Sequence, residues 1–252
     1  MIICMLVSTF IYGINTSLET FVSQAFRRGN LRECALYMHR AIFLNTIVFV
    51  PITLILFKTD RILQMLGTTK AVADLAYQYV VWQLPGLLMH GYADSISLML
   101  AAMGFPYIIV ILQVIVIPIH VVTCYIFVHK FGFGLVGTAY ASNISGLITF
   151  LLQFGLGWAL KEIQDAWYFP TSETFCKLKE FCIVAVPGCV MLFLEYANWE
   201  LMMLMAVMMG NQDILAAQVI ISTVGSLVLS VPYGLSVSAV AVIGQALGAN
   251  NA

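Results

Sequence analysis

The chain has 252 residues, of which 62% are apolar and only 9% charged, whereas ordinary soluble domains are about one quarter charged. That composition excludes a water-soluble enzyme or binding domain, which would need far more polar surface. A formal net charge of −1 leaves no basic footprint for a nucleic acid.

A helix needs about 20 mainly apolar residues to cross the hydrocarbon core of a bilayer. In chain order, seven stretches satisfy this: 2–26, 38–57, 76–103, 106–128, 135–159, 181–209 and 214–246. The first lacks a basic start and runs on into helical sequence, so it reads as a span and not as a cleaved leader. The runs are too long and too uniformly apolar for the alternation of a membrane β-barrel. Pro85, Pro118, Pro187 and Pro232 fall inside them. Within a bundle such prolines are tolerated where neighbours satisfy the freed carbonyls. The predicted fold is therefore an all-α, polytopic bundle in a lipid bilayer.

Between the spans, Arg27, Arg28, Arg32, Lys161, Lys177 and Lys179, with Arg40 close by, fall on one side, against Lys58, Arg61, Lys70 and Lys130 on the other. Basic residues favour the cytoplasmic face, so the first helix is expected to run inward. Residues 161–180 mix charge signs and read as a cytoplasmic linker between two groups of helices. The six cysteines follow no metal-ligand spacing and read as small apolar side chains. No two histidines have ligand spacing either, although His120, inside a span, is placed to hydrogen-bond across helices.

The sequence also repeats itself at a separation of 221 residues. YGINTSLETFVSQAFRRGN, starting at Tyr12, aligns without a gap on YGLSVSAVAVIGQALGANN, starting at Tyr233. The polar set keeps register: Ser17 with Ser238, Gln24 with Gln245, Asn30 with Asn251. Parallel repeats of this kind mark secondary transporters built from two related halves. The expected plan is a six-helix unit duplicated to twelve, of which about seven helices lie in this chain. Gln24–Asn30 and Gln245–Asn251 are expected to cap and turn the ends of the matching helices, because Gly and Asn tolerate left-handed backbone.

Three segments carry a family likeness. SLETFVSQAFRRGN supplies Glu19, Thr20, Gln24, Ala25, Phe26, Gly29 and Asn30, with Arg27 and Arg28 in place of a customary small pair. Pro187 is followed by LEYANWE, with Glu195 and Glu200 on acidic positions and Tyr196 and Ala197 where paired tryptophans are usual. Pro232, Gly234, Ser236 and Ser238 lead into GQALGANN. Together these resemble the multidrug and toxic compound extrusion family, in its eukaryotic branch. The resemblance implies a secondary antiporter without a cofactor, expelling organic cations or amphiphilic solutes in exchange for protons or sodium. It also implies two six-helix bundles around a cleft. Residues 1–160 would be the second to sixth helices of the first bundle, 161–180 the linker and 181–252 the seventh and eighth helices. The first helix and the last four would lie outside this chain. The membrane expected is the plasma membrane or that of a vacuole or other organelle.

Four acidic residues lie inside predicted spans: Glu19, Asp94, Glu195 and Glu200. A charge at the bilayer centre costs about 2.5–3.5 kcal/mol even on lenient scales, so such groups face a cavity, find a partner or carry a proton. A carboxylate that takes a proton when dry and releases it to water or a cation gives exchange without leak. With the family likeness added, Glu195 is the expected coupling residue, and Glu200 lines the cavity or makes a structural bond. Five residues apart, the two diverge by about 140° around the helix and cannot both point into one narrow site. Glu19, near Arg27 and Arg28, is equally suited to charge pairing or packing. Asp94, among Tyr92, Ser95 and Ser97, is equally suited to a local hydrogen-bonded site. Trp82, Tyr196 and Trp199 are candidate cation–π contacts, though aromatic residues also serve helix packing. Two other readings remain: a truncated, non-transporting membrane protein, and a lipid-linked oligosaccharide flippase, which would require a basic cleft. No nucleotide loop, metal cluster or nucleophile arrangement is present to support an enzyme.

Overall fold

In hydrocarbon a backbone must satisfy its own hydrogen bonds, which leaves the helix as the form available to long apolar runs. The computed structural model describes residues 2–65, 69–160 and 164–250. Among them the long helices are α1 (Ile2–Arg27), α2 (Leu31–Leu56), α4 (Lys70–Ala102), α5 (Pro106–Tyr125), α6 (Gly134–Ala159), α7 (Leu178–Met208) and α8 (Gln212–Asn250). A short α3 (Thr59–Met65) lies in the turn after α2, and a π-helical segment, Ile126–Lys130, extends α5. Lys161 and Asn251, counted in the linker and in the repeat, lie outside the described residues.

Each expected span appears as one long helix, and several outrun their apolar windows. Helix α2 begins at Leu31, seven residues before its predicted start, because Asn30 caps it: the Asn30 side chain accepts from the Glu33 amide at 3.1 Å and donates to the Glu33 carboxylate at 3.2 Å. Gly29 takes a left-handed conformation (φ 75°) that ends α1. This half of the expected repeat-end turn is therefore present. At the other copy, α8 continues as helix through Gly248 to Asn250.

Among the described residues, five helical segments are long and apolar enough to cross a membrane by length and composition: Leu31–Leu56, Pro106–Lys130, Gly134–Ala159, Leu178–Met208 and Asp213–Ala249. The two other expected spans, α1 and α4, carry Asn15, Glu19 and Asp94, and each packs against at least four other helices. Their polar groups meet partners instead of lipid. On α4, Tyr92 meets Thr46 of α2 (2.8 Å), Ser95 donates to Asn15 of α1 (2.9 Å), and Ser97 accepts from Gln153 of α6 (2.7 Å). Asn45 of α2 completes a fully buried triad, donating to Asn15 at 3.0 Å and to Ser95 at 3.2 Å. His120 reaches Ser145 of α6 at 2.8 Å, the cross-helix bond its position predicts.

One apolar core gathers Leu18, Val22, Ile96, Met99 and Phe181 toward the end bearing the Arg27–Arg32 cluster, with Phe21, Tyr37 and Phe181 stacked across α1, α2 and α7. A smaller one joins Val7, Ile11, Leu56, Val80 and Leu84 at the opposite end. Small residues let α1 approach its partners. A Cβ on Gly13 would lie 2.5 Å from the Cys189 backbone of α7, and one on Gly244 of α8 would run into Ser23.

The segment between α6 and α7 is more than a tether. Trp167 is buried with its indole flush against Gly157, and Arg32 pairs with Glu173 at 3.2 Å. The Tyr168 hydroxyl donates to the Arg32 carbonyl at 3.0 Å, and partial burial pushes that phenol above its ordinary range.

Candidate functional site

Helices α7 and α8 line an open-sided cavity of about 690 Å³. From α7 it takes Glu195, Tyr196, Trp199, Glu200 and Met203; from α8, a run of residues from Val219 to Ser236. Ordinary ligand pockets fall in the range of about 300–1,000 Å³. Both glutamates line this space despite their divergence around α7. The constraint expected for a narrow site is lifted because the cavity is wide. The Trp199 ring rests on α8 at Gly225, where a Cβ would stand 3.4 Å away. No Lys or Arg is among the lining residues.

The other candidates separate from this group by degree. Asp94 pairs with the Tyr12 hydroxyl across α1 and α4. Tyr12 in turn stands within electrostatic reach of Tyr196 and Tyr233. Tyr233, on the cavity wall, is within reach of Glu19, Asp94, Tyr196 and Glu195. It thus links the acidic residues of α1 and α4 to the cavity. Tyr12 and Tyr233 are equivalent positions of the internal repeat, and here the two copies come close to each other.

Glu19 is buried in α1 and forms no ion pair with Arg27 or Arg28. The guanidinium groups lie two turns on; Arg28 instead donates to Gln24 at 3.5 Å. Gln245 does not cap its own helix: it donates to the Ala102 carbonyl at 3.0 Å, closing the end of α4. Trp82 is not part of the cavity. It packs on Tyr140 of α6, with ring centroids 5.2 Å apart, and its carbonyl accepts from Asn143 at 2.6 Å, so its place is the α4–α6 contact.

Reading the sequence for carboxylates and tryptophans overlooked Tyr12, Tyr233 and the hydroxyl wall of α8. A signal for the last was present: Ser222, Ser226 and Ser230 recur every four residues in an otherwise apolar helix, which places them on one face.

The family model MatE matches residues 1–126 of the chain. Protein DETOXIFICATION 16 of Arabidopsis thaliana is 26% identical over 245 residues, covering 96% of this chain and 50% of its own length. Protein DETOXIFICATION 17 of the same plant is 28% identical over 244 residues, covering 96% of this chain and 51% of its own length. The chain thus spans about half the length of the curated relatives it matches. Among solved structures, the eukaryotic MATE transporter AtDTX14 superposes with a TM-score of 0.88 at 22% identity, over 98% of this chain and 55% of that one. A mutant of the Vibrio cholerae MATE transporter VcmN gives 0.84 at 18% identity, over 99% and 56%.

Proposed function

We propose that this chain, which belongs to the MatE family and is an integral, multi-pass membrane protein, carries the cation and coupling-ion site of a secondary antiporter. Organic cations or other xenobiotic solutes leave in exchange for entering protons, with sodium as the alternative coupling ion. Residues 1–160 and 181–252 would belong to two different bundles, joined by 161–180. The observation that carries the reading is the cavity between α7 and α8: two carboxylates and three aromatic rings, with no basic lining residue.

Mechanistically, Glu195 alternates between a proton and an organic cation. Apolar walls such as Met203, Val219 and Leu229 make a bare carboxylate costly, so it is occupied by one or the other. Because the two compete for one group, the protein exchanges them and does not leak either. Glu200, five residues further along α7, supplies a second negative group to a bulky substrate. Tyr196 and Trp199 offer ring faces to it. The absence of basic groups from this wall disfavours the flippase alternative, which needs them to hold phosphates.

The test is flux in proteoliposomes loaded with a fluorescent organic cation. An imposed proton gradient is expected to drive efflux, and Glu195→Gln to abolish it. A sodium gradient driving efflux where the proton gradient does not would reassign the coupling ion. Efflux unchanged in Glu195→Gln would remove that residue from the mechanism. No efflux from correctly inserted protein would sink transport by this chain.

A further inference from the structure

We propose that the cavity between α7 and α8 selects cations bearing N–H donors, that is protonated primary or secondary amines, over quaternary ammonium ions of the same size. The inference rests on reading the cavity as a cation site, and it comes from where the hydroxyl protons on its α8 wall are directed.

A serine or threonine hydroxyl has one proton and two lone pairs. Thr223 gives its proton to the Val219 carbonyl at 2.8 Å, Ser226 to the Thr223 carbonyl at 2.8 Å and Ser230 to the Leu227 carbonyl at 2.7 Å. All three side chains line the cavity. With their protons committed to their own helix, they offer the cavity lone pairs only. Pro232, on the same wall, has no N–H, so the Val228 carbonyl lacks its usual helical donor and adds an acceptor nearby. Glu195 and Glu200 face this wall from α7 with further acceptor oxygens. The donors on this lining are the hydroxyls of Ser222, which accepts from Gln218 at 3.5 Å, and Ser236, together with the aromatic side chains, so acceptors predominate.

Such a lining distinguishes two kinds of cation. Both kinds can lie against the faces of Tyr196, Trp199 and Tyr233 and be drawn by the carboxylates. Only an N–H cation can also place charge-assisted hydrogen bonds on the hydroxyl oxygens of α8. A trimethylammonium group presents methyls there and leaves those oxygens desolvated without a partner. The expected discrimination is about tenfold, the equivalent of one such bond.

The test compares two probes that differ only at the head: a dansyl fluorophore on a pentyl chain ending in a primary ammonium, and the same molecule ending in trimethylammonium. Each is titrated against the whole purified chain in detergent micelles. The ammonium probe should bind about tenfold more tightly, and a Ser226→Ala, Ser230→Ala double variant should weaken that probe alone, the other serving as the control for folding. Equal or tighter trimethylammonium binding, in a protein whose Glu195→Gln variant loses both probes, would overturn the selectivity and leave the cation site standing. Binding of neither probe, or binding untouched by Glu195→Gln, would overturn the cation-site reading and this inference with it.

Discussion

Glu195, Glu200, Asp94 and Glu19 all sit on apolar helices, and each meets the cost of that position differently. Asp94 has the Tyr12 hydroxyl, the two glutamates of α7 have a roomy cavity, and Glu19 is buried where its neighbours include Tyr233 of α8. Several uncharged polar residues instead find partners on adjacent helices. Asn45 is the pivot of the largest such group, bonded to both Asn15 and Ser95 with almost no exposure. Asn45→Ala would leave two buried polar groups short of a partner. Bonds of this kind inside membranes contribute somewhat less than in water, so the expected loss is about 1–2 kcal/mol. Thermal unfolding in detergent checks this, and an unchanged midpoint would mean that the triad contributes no stability.

At the scale of elements, α1 packs against α8, its repeat-equivalent helix. They touch through small residues: Gly244 against Ser23 and Gly248 against Gln24, where a Cβ would stand 2.7 Å from the Gln24 carbonyl oxygen. Glycines four apart let helix backbones approach closely in a membrane. Two consequences are measurable. A Ser23→Cys, Gly244→Cys pair would set its Cβ atoms 2.8 Å apart, closer than the roughly 3.5–4.5 Å of a relaxed disulfide, so a small separation of the helices should let it cross-link on mild oxidation. Adding Gly248→Leu should suppress that cross-link by forcing the helices apart. Cross-linking that persists with the leucine in place would show that another contact sets the spacing.

For the whole molecule, the segment entering α7 is held against α2 and α6. Its hold on α2 and α6 combines a buried indole with an exposed ion pair, and their sizes differ. Removing a buried tryptophan costs about 3–5 kcal/mol. An exposed pair such as Arg32–Glu173, with both side chains more than half exposed, contributes about 0–1 kcal/mol. Trp167→Ala should therefore release residues 164–177 to rapid hydrogen exchange, whereas Glu173→Gln should leave their protection nearly intact. Equal protection in both variants would mean that the indole is not the anchor.

The sequence alone determined that this is a membrane protein of long helices, because the cost of exposing backbone polar groups in hydrocarbon leaves an apolar run of 20 or more residues few alternatives. It also held the family likeness and drew notice to the carboxylates of LEYANWE, since embedded carboxylates are expensive enough to stand out. What only the tertiary structure decided is what those groups face. Whether Glu19 meets an arginine or a tyrosine, whether Trp82 lines a cavity or packs on Tyr140, and where the α8 hydroxyl protons go all depend on which helix lies alongside. Helical periodicity assigns residues to a face of their own helix. It carries no information about the neighbour across from that face, and that neighbour was chosen by close packing at positions such as Gly13, Gly157 and Gly244.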